Sequence, residues 1–352
     1  MKRSLLIIAH FILVLGGVLG PGLARAADSK PLVLETTPLP IDLIADPGKT
    51  VSTDLRVKQN GTGTERLKVS LMKFVAYGNE GKPRLIDRQP GDDYFDWAKF
   101  DKVQFDAPPN VWQTVHMTIN VPKTAAFGYY YAVVFSRVGD DARLDNHTNA
   151  IAGGSAVLVL LDANSPNAKR SLQLVSFAAT HRVYEFLPAD FTMQVANTGN
   201  VHVVPQGDVF ISYGGKQLAT LPVNAQLGNT LPGSQRIYPI SWADGFPHYE
   251  PITENGKVKL DKNGNQVTHL VWDWSKLLKF RMGKYTAHLF AVYDDGHHDA
   301  PLEAEVSFWV IPWRFLLVLL AVIALIGFGI FFSLRGVWRG ATQSVRRLRG
   351  RR

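Results

Sequence analysis

Through most of the chain, apolar and polar residues alternate with a period of two. In Val51-Ser52-Thr53-Asp54-Leu55-Arg56-Val57-Lys58, Val51, Leu55 and Val57 face one way while Ser52, Asp54, Arg56 and Lys58 face the other. Such alternation puts one face of a strand in a core and the other in solvent. Asn60-Gly61-Thr62-Gly63 then supplies a turn, and Leu67, Val69 and Leu71 resume the pattern on a returning strand. Val115, Met117, Ile119 and Val121 repeat it before Pro122. The run Gly128 to Phe135 carries the aromatic and β-branched residues that strands favour, and Gly154 to Leu161 closes a first unit.

Beyond a polar, Pro-containing break at 162–168, Phe191, Met193 and Val195 alternate again before the turn Asn197-Thr198-Gly199-Asn200. Val209 to Tyr213 leads through Gly214-Gly215 into Gln217 to Val223, and Tyr285 to Tyr293 and Val306 to Val310 finish the second unit. Asn255-Gly256 and Asn263-Gly264 mark tight turns in a polar excursion between Asp244 and Ser275. Turns at intervals of roughly 8–12 residues point to antiparallel sandwiches rather than a parallel sheet. The predicted fold is all-β: two Ig-like antiparallel β-sandwich domains over 27–162 and 169–310, followed by one transmembrane helix. No substantial soluble helix is expected; Asp93 to Lys102 has room for a turn or two.

The two ends of the chain break the pattern. Lys2 and Arg3 precede an apolar run from Ser4 to Leu19, Pro21 and Gly22 interrupt it, and Ala24-Arg25-Ala26 has the spacing of a signal-peptidase site. Residues 1–26 are therefore expected to be a signal peptide, cleaved after Ala26. Near the other end, Phe315 to Leu334 holds twenty residues without a charge, long enough at about 1.5 Å each to cross a bilayer of about 30 Å. Trp309 and Trp313 before it and Trp338 after it suit the two interfaces, with Arg335 and Arg339 at the inner one. Seven arginines lie in the tail 335–352, and no acidic residue follows Glu305. The positive-inside rule then places this basic tail in the cytoplasm and residues 27–310 outside, on the cell surface or in the periplasm.

Charge changes the picture only at the ends. The net charge of +8 includes three basic residues before residue 27 and eight from Arg314 onward, leaving 27 basic residues against all 30 acidic ones. The exported part is thus slightly acidic, and nucleic acid is not an expected partner. The tail's arginines suit lipid headgroups instead. There is no cysteine, so neither a disulfide framework nor a thiolate metal site exists.

Chemistry is sparse. Asp294-Asp295-Gly296-His297-His298-Asp299 offers carboxylate and imidazole, but adjacent histidines on an extended chain point apart, and a hairpin loop explains the segment better. Asp261 to Asn265 opens like a calcium loop, yet Gln266 stands in place of the glycine and Trp272 in place of the bidentate Glu. No nucleophile elbow, zinc-protease helix or phosphate loop occurs. No catalytic residue, cofactor or metal is therefore expected. Asn60-Gly61-Thr62 and Asn146-His147-Thr148 match glycosylation acceptors, a match easily met by accident. Tyr94, Trp97 and Asp96, amid Phe95, Phe100, Asp92, Asp93 and Asp101, form the one stretch suited to a glycan, since rings stack on sugar faces and carboxylates accept hydroxyls. Rings of this kind more often cover one end of a sandwich core, since aromatics usually serve packing.

Pro40-Ile41, Asp46-Pro47-Gly48-Lys49-Thr50, Leu55-Arg56-Val57 and Asn60-Gly61, followed by Val121-Pro122 and Gly128-Tyr129-Tyr130, resemble the peptidoglycan-binding domain of WxL-interacting cell-surface proteins. Phe191 with Val195-Ala196-Asn197-Thr198-Gly199-Asn200-Val201 is similar to the Ig-like domain that follows it there. The excursion at 244–275 and the segment 90–101 have no counterpart in that pattern. The resemblance implies a non-catalytic, membrane-anchored adaptor: one domain on cell-wall peptidoglycan or glycan, the other on a surface protein. A chaperone-like subunit of a surface-assembly machine, holding strands by edge pairing, is the alternative from another class. An envelope hydrolase is the third.

Overall fold

The computed structural model describes residues 32–349 apart from 140–142, 145–150, 255 and 263; for 143–144, 151–152 and 336–349 it describes the backbone element alone. The predicted signal peptide, with Ala24 and Ala26, lies outside the described residues. So do Asn146, His147 and Thr148 of the second acceptor match and Asn255 and Asn263 of the two predicted turns, whose glycines have positive φ.

The first sandwich runs through β1 (Leu34–Thr37), β2 (Ile41–Ala45), β3 (Thr50–Gln59), β4 (Glu65–Tyr77), β5 (Lys82–Ile86), β6 (Ala98–Phe100), β7 (Gln104–Ala107), β8 (Gln113–Asn120), β9 (Gly128–Arg137), a short hairpin of β10 (Arg143–Leu144) and β11 (Ile151–Ala152), and β12 (Gly154–Ala163). One sheet has the order β1-β3-β8-β6, the other β2-β12-β9-β4-β5, with β7 also on β4. Only β2, on β12, pairs in parallel among these strands. The alternation sets the register as expected: Leu55 and Val57 are fully buried with Val115, Met117 and Ile119, whereas Arg56 faces out.

Strand β9 departs from alternation because both of its faces are covered. Tyr131, Val133 and Phe135 enter the first core. Ala132 joins Phe74, Leu85 and Leu160 in a separate cluster on the outer face of the same sheet, and Leu231 of the second sandwich packs against it. A strand buried on both sides reads as a continuous apolar run, which is what Tyr129 to Phe135 is.

The second sandwich comprises β13 (Leu172–Ala179), β14 (Val183–Tyr184), β15 (Ala189–Asn197), β16 (Gln206–Tyr213), β17 (Lys216–Val223) and β18 (Gln235–Trp242). An excursion follows, with β19 (His248–Pro251), β20 (Thr253–Glu254), β21 (Lys257–Val258), β22 (Thr268–Val271) and a 3-10 turn at Trp274–Lys279. The long hairpin of β23 (Gly283–Asp294) and β24 (Asp299–Val310) completes it. The sheets are β13-β15-β18 and β14-β24-β23-β16-β17. Phe191, Met193 and Val195 meet Val209, Ile211, Ala287 and Leu289 across the core, with Trp242 and Phe308 filling its centre.

Helix α1 (Trp313–Arg349) starts two residues before the predicted span and continues through the segment expected to be a tail. That segment contains no proline, and Arg339, Arg346, Arg347 and Arg349 favour helix enough to carry it past Gly336 and Gly340. Within Trp313–Arg335 the most apolar 18-residue window has a mean hydropathy of 3.0 and none of it is buried against protein, so α1 is long and apolar enough to cross a membrane. Trp309, Trp313 and Arg335 are exposed around it, and the side chains of Trp338 and Arg339 lie outside the described ones. Asp93–Trp97 forms a 3-10 turn within the expected segment, running on into β6. The second such turn, Trp274–Lys279, is too short to leave a periodic signal and was not expected.

Candidate functional site

The two sandwiches are docked by three sets of contacts. The β4–β5 turn reaches β18, where the Ile237 N–H donates to the Asn79 carbonyl at 2.7 Å. Beside it the Arg236 guanidinium lies between Gly81 and Gly228; a Cβ on either glycine would stand 2.3 Å from it. Gly81 has φ +73°, a second reason for glycine there. At the opposite margin, Asp162 ends β12 with its side chain almost wholly buried. Its Oδ2 lies 3.2 Å from Arg170 and its Oδ1 3.1 Å from His202 Nδ1, and His202 Nε2 is 3.6 Å from Asp42. The Asp162–His202 contact is close enough for an ion pair but is not aligned as a hydrogen bond. Between these margins the Gly128 N–H donates to the Asn200 carbonyl at 3.1 Å.

Asn197 shapes the loop that makes this last contact. It is buried, its Nδ2 donates to the carbonyls of Val201 and Thr230, and its Oδ1 accepts from the Gly199 N–H. A Cβ on Gly199 would meet the Lys169 carbonyl at 2.1 Å, so the linker between the domains passes directly over it. The Asn197-Thr198-Gly199-Asn200 turn thus serves domain docking.

A cleft of about 540 Å³ opens between the sandwiches. Phe74 of β4, Leu85 of β5 and Leu158 and Leu160 of β12 form its wall on the first domain. Leu227 and Leu231, from the β17–β18 connection, face them from the second. Leu227 is more than half exposed and holds φ +52°, a conformation that costs a branched side chain free energy. The loop is fixed there by Asn224, whose Nδ2 donates to the Pro205 and Gly228 carbonyls and whose Oδ1 accepts from the Gly228 N–H. Two polar atoms at the cleft, Asn229 Oδ1 and Arg236 Nε, are buried and have no hydrogen-bond partner among the described residues. An apolar wall with a few unpaired polar atoms is the chemistry of a binding site. None of these residues stood out in the sequence; Leu227 and Leu231 sit in a segment whose only mark is its lack of alternation.

The cleft borders an open sheet edge. Among the described strands, β5 pairs only with β4, and Pro83 removes one of its amides from further pairing.

The sequence-predicted glycan residues do come together, on the rim of the first sandwich away from the cleft lining. Tyr94 is half-buried against Tyr129 and Tyr131 at 5.3 and 5.1 Å between centroids, and the Trp97 ring meets Tyr129 at 4.6 Å. Both rings pack on the first core. Burial pushes the Tyr94 phenol well above its ordinary range. Asp96 is exposed, and both its oxygens lie 2.7 Å from Arg88 nitrogens; these hydrogen bonds hold its carboxyl below the usual range. The Asp294–Asp299 loop is the β23–β24 turn, in which Asp295 Oδ1 accepts from the His297 and His298 amides. Among the described residues, no group of three or more His, Asp or Glu converges as a metal site.

No family model matches the chain, and no curated protein does. Among solved structures, the chain is similar to the class 5 fimbriae chaperone CfaA at 13% identity and a TM-score of 0.35, over 80% of this chain and all of that one. It is also similar to the CsuC–CsuE chaperone–tip adhesion subunit pre-assembly complex of Acinetobacter baumannii archaic chaperone-usher pili, at 10% identity and a TM-score of 0.33, over 77% of this chain and 97% of that one. The E. coli chaperone DraB matches at 10% identity and a TM-score of 0.30, over 78% and 98%. The chain thus consists of two Ig-like sandwiches, with an apolar cleft between them, that stand on one membrane-length helix.

Proposed function

We propose that this chain is a membrane-anchored extracytoplasmic binding protein that holds an apolar segment of a protein partner in the inter-domain cleft and performs no chemistry of its own. It corresponds to a chaperone-like subunit of a surface-assembly machine. One observation supports this above the rest: Leu227 is held at φ +52° by Asn224, presenting an apolar side chain to an apolar wall across an open cleft. Conformational strain of this kind persists where the surroundings enforce it, and it clusters at ligand-holding sites.

The second reading, an adaptor that engages wall glycan as the resemblance to WxL-interacting proteins implies, is favoured by Trp97, half-buried beside the exposed Asp96. One set of variants separates the two. In the full chain purified in nanodiscs, Leu158→Asp and Leu227→Asp should abolish retention of an exported protein partner, while Trp97→Ala leaves it intact. Loss of wall-polymer binding on Trp97→Ala, with the melting temperature unchanged, would favour the adaptor. Retention of the protein partner by both cleft variants would overturn the proposal.

A further inference from the structure

The excursion between β18 and β23 ends in an apolar surface that the second sandwich's own core leaves uncovered. In the 3-10 turn Trp274–Lys279, Leu278 is 97% exposed and Trp274 68%, with Trp272, Leu277, Phe280 and Met282 exposed around them. Asp273 caps the turn, its Oδ1 accepting from the Ser275 N–H at 3.1 Å, and the backbone kinks at Lys276 (φ −99°, ψ 15°). A contiguous group of outward-pointing leucine and tryptophan side chains marks an interaction surface.

Ring contacts tie this surface to the membrane helix. Trp272 and Trp274 stack at 5.9 Å, both against the buried Phe246, at 5.8 and 5.3 Å. Phe246 bridges to Phe280, its N–H donating to the Lys279 carbonyl. Phe280 in turn meets Phe315, in the first turn of α1, at 5.9 Å. Arg314 pairs with Glu185 at 3.5 Å, fixing the start of the helix against the domain. The platform is therefore held at the height where α1 leaves the protein.

Its charges fit that position. Lys276, Lys279 and Arg281 border the apolar residues, with Arg314 over the Trp313 ring, and the carboxylates facing them are Asp273 and Asp244. Indoles and long cationic side chains are the groups that settle at a headgroup–acyl boundary.

We propose that Trp272, Trp274, Leu277 and Leu278 insert into the outer leaflet of the membrane that α1 crosses, as an interfacial foot about 5–10 Å deep. This rests on α1 spanning the bilayer, so the test reads both. The chain has no cysteine, which allows single labels to be placed in the otherwise intact protein. An environment-sensitive fluorophore is attached in turn to Leu278→Cys, Trp274→Cys, Val322→Cys in mid-helix and Thr62→Cys on the first sandwich. Each is measured in phosphatidylcholine nanodiscs, with and without phosphatidylglycerol, holding one copy per disc. Iodide quenching should be full at residue 62 and lost at residues 274, 278 and 322, with blue-shifted emission at 278. Quenching at 278 and 274 equal to that at 62, with 322 protected, would overturn the foot while keeping the span. Quenching at 322 would remove the span itself. Protection of 278 only at two copies per disc would assign the surface to self-association and overturn the lipid contact.

Discussion

At the scale of single residues, burial in the first sandwich follows the alternation closely enough to predict neighbouring substitutions with opposite results. Val57 is fully buried and Arg56, one position before it, is exposed with its guanidinium over the Trp112 ring. Val57→Asp should destabilise the protein by about 3–5 kcal/mol, because an unpaired carboxylate would enter the core. Arg56→Asp should cost about 1 kcal/mol or less, including the lost cation–π contact. Thermal melting of the two variants checks the register; equal shifts would refute it. Tyrosines set a second expectation. Burial raises the phenols of Tyr94, Tyr130 and Tyr131 above their ordinary value. The unfolded chain ionises them near pH 10, so stability is full below that pH and falls as pH rises beyond it. Urea midpoints compared between neutral and alkaline pH should show this fall. Tyr131→Phe should remove up to about 1.4 kcal/mol per pH unit of it, at the expense of about 1 kcal/mol at neutral pH for the lost bond to the Tyr94 carbonyl.

At the scale of elements, what period and turn chemistry govern was legible, and what distant contacts govern was not. The hairpin at Gly214-Gly215 and the twenty-residue apolar span stand where local pattern put them, whereas Asn60-Gly61 closes no hairpin: β3 and β4 on either side of it belong to opposite sheets. Aromatic clustering also located Tyr94, Asp96 and Trp97 together. The cleft was invisible for a physical reason: its walls come from β4, β5 and β12 on one side and a connection in the other domain, and no local periodicity couples them. Asp162 illustrates the limit. In the sequence it opens a polar break, yet it is buried, because Arg170 and His202 arrive from beyond that break to face its two carboxylate oxygens. The stop of α1 was likewise placed at the last apolar residue, whereas helix propensity carries the backbone on to Arg349.

At the scale of the whole molecule, the geometry of the cleft depends on the docking of the domains, and Arg170 is the residue to remove. Arg170→Ala would leave the Asp162 carboxylate buried beside a histidine alone, at a cost of about 3 kcal/mol. The expected result is a looser hinge with both sandwiches still folded. Distances between spin labels at Thr62→Cys and Lys262→Cys should broaden, while the far-ultraviolet circular dichroism stays unchanged. A distribution as narrow as that of the parent would show that the contact of Arg236 with Gly81 suffices.

The joint between β24 and α1 has a mechanical consequence. Only Ile311 and Pro312 separate the strand from the helix, and the Ile311 N–H donates to the Tyr184 carbonyl at 2.8 Å, tying the joint to β14. Strand β24 lies between β14 and β23 and pairs with β23 along all twelve of its residues. Tension drawn through α1 enters β24 at Val310, and a pull along the strand loads its transverse hydrogen bonds together, in shear, instead of parting them one at a time. A partner pulled outward from the cleft would strain a clamp and not a tether. Single-molecule stretching between Thr62→Cys and the C-terminus should show one high rupture event for the second sandwich. Val306→Pro, which removes an amide from the middle of the clamp, should lower that force.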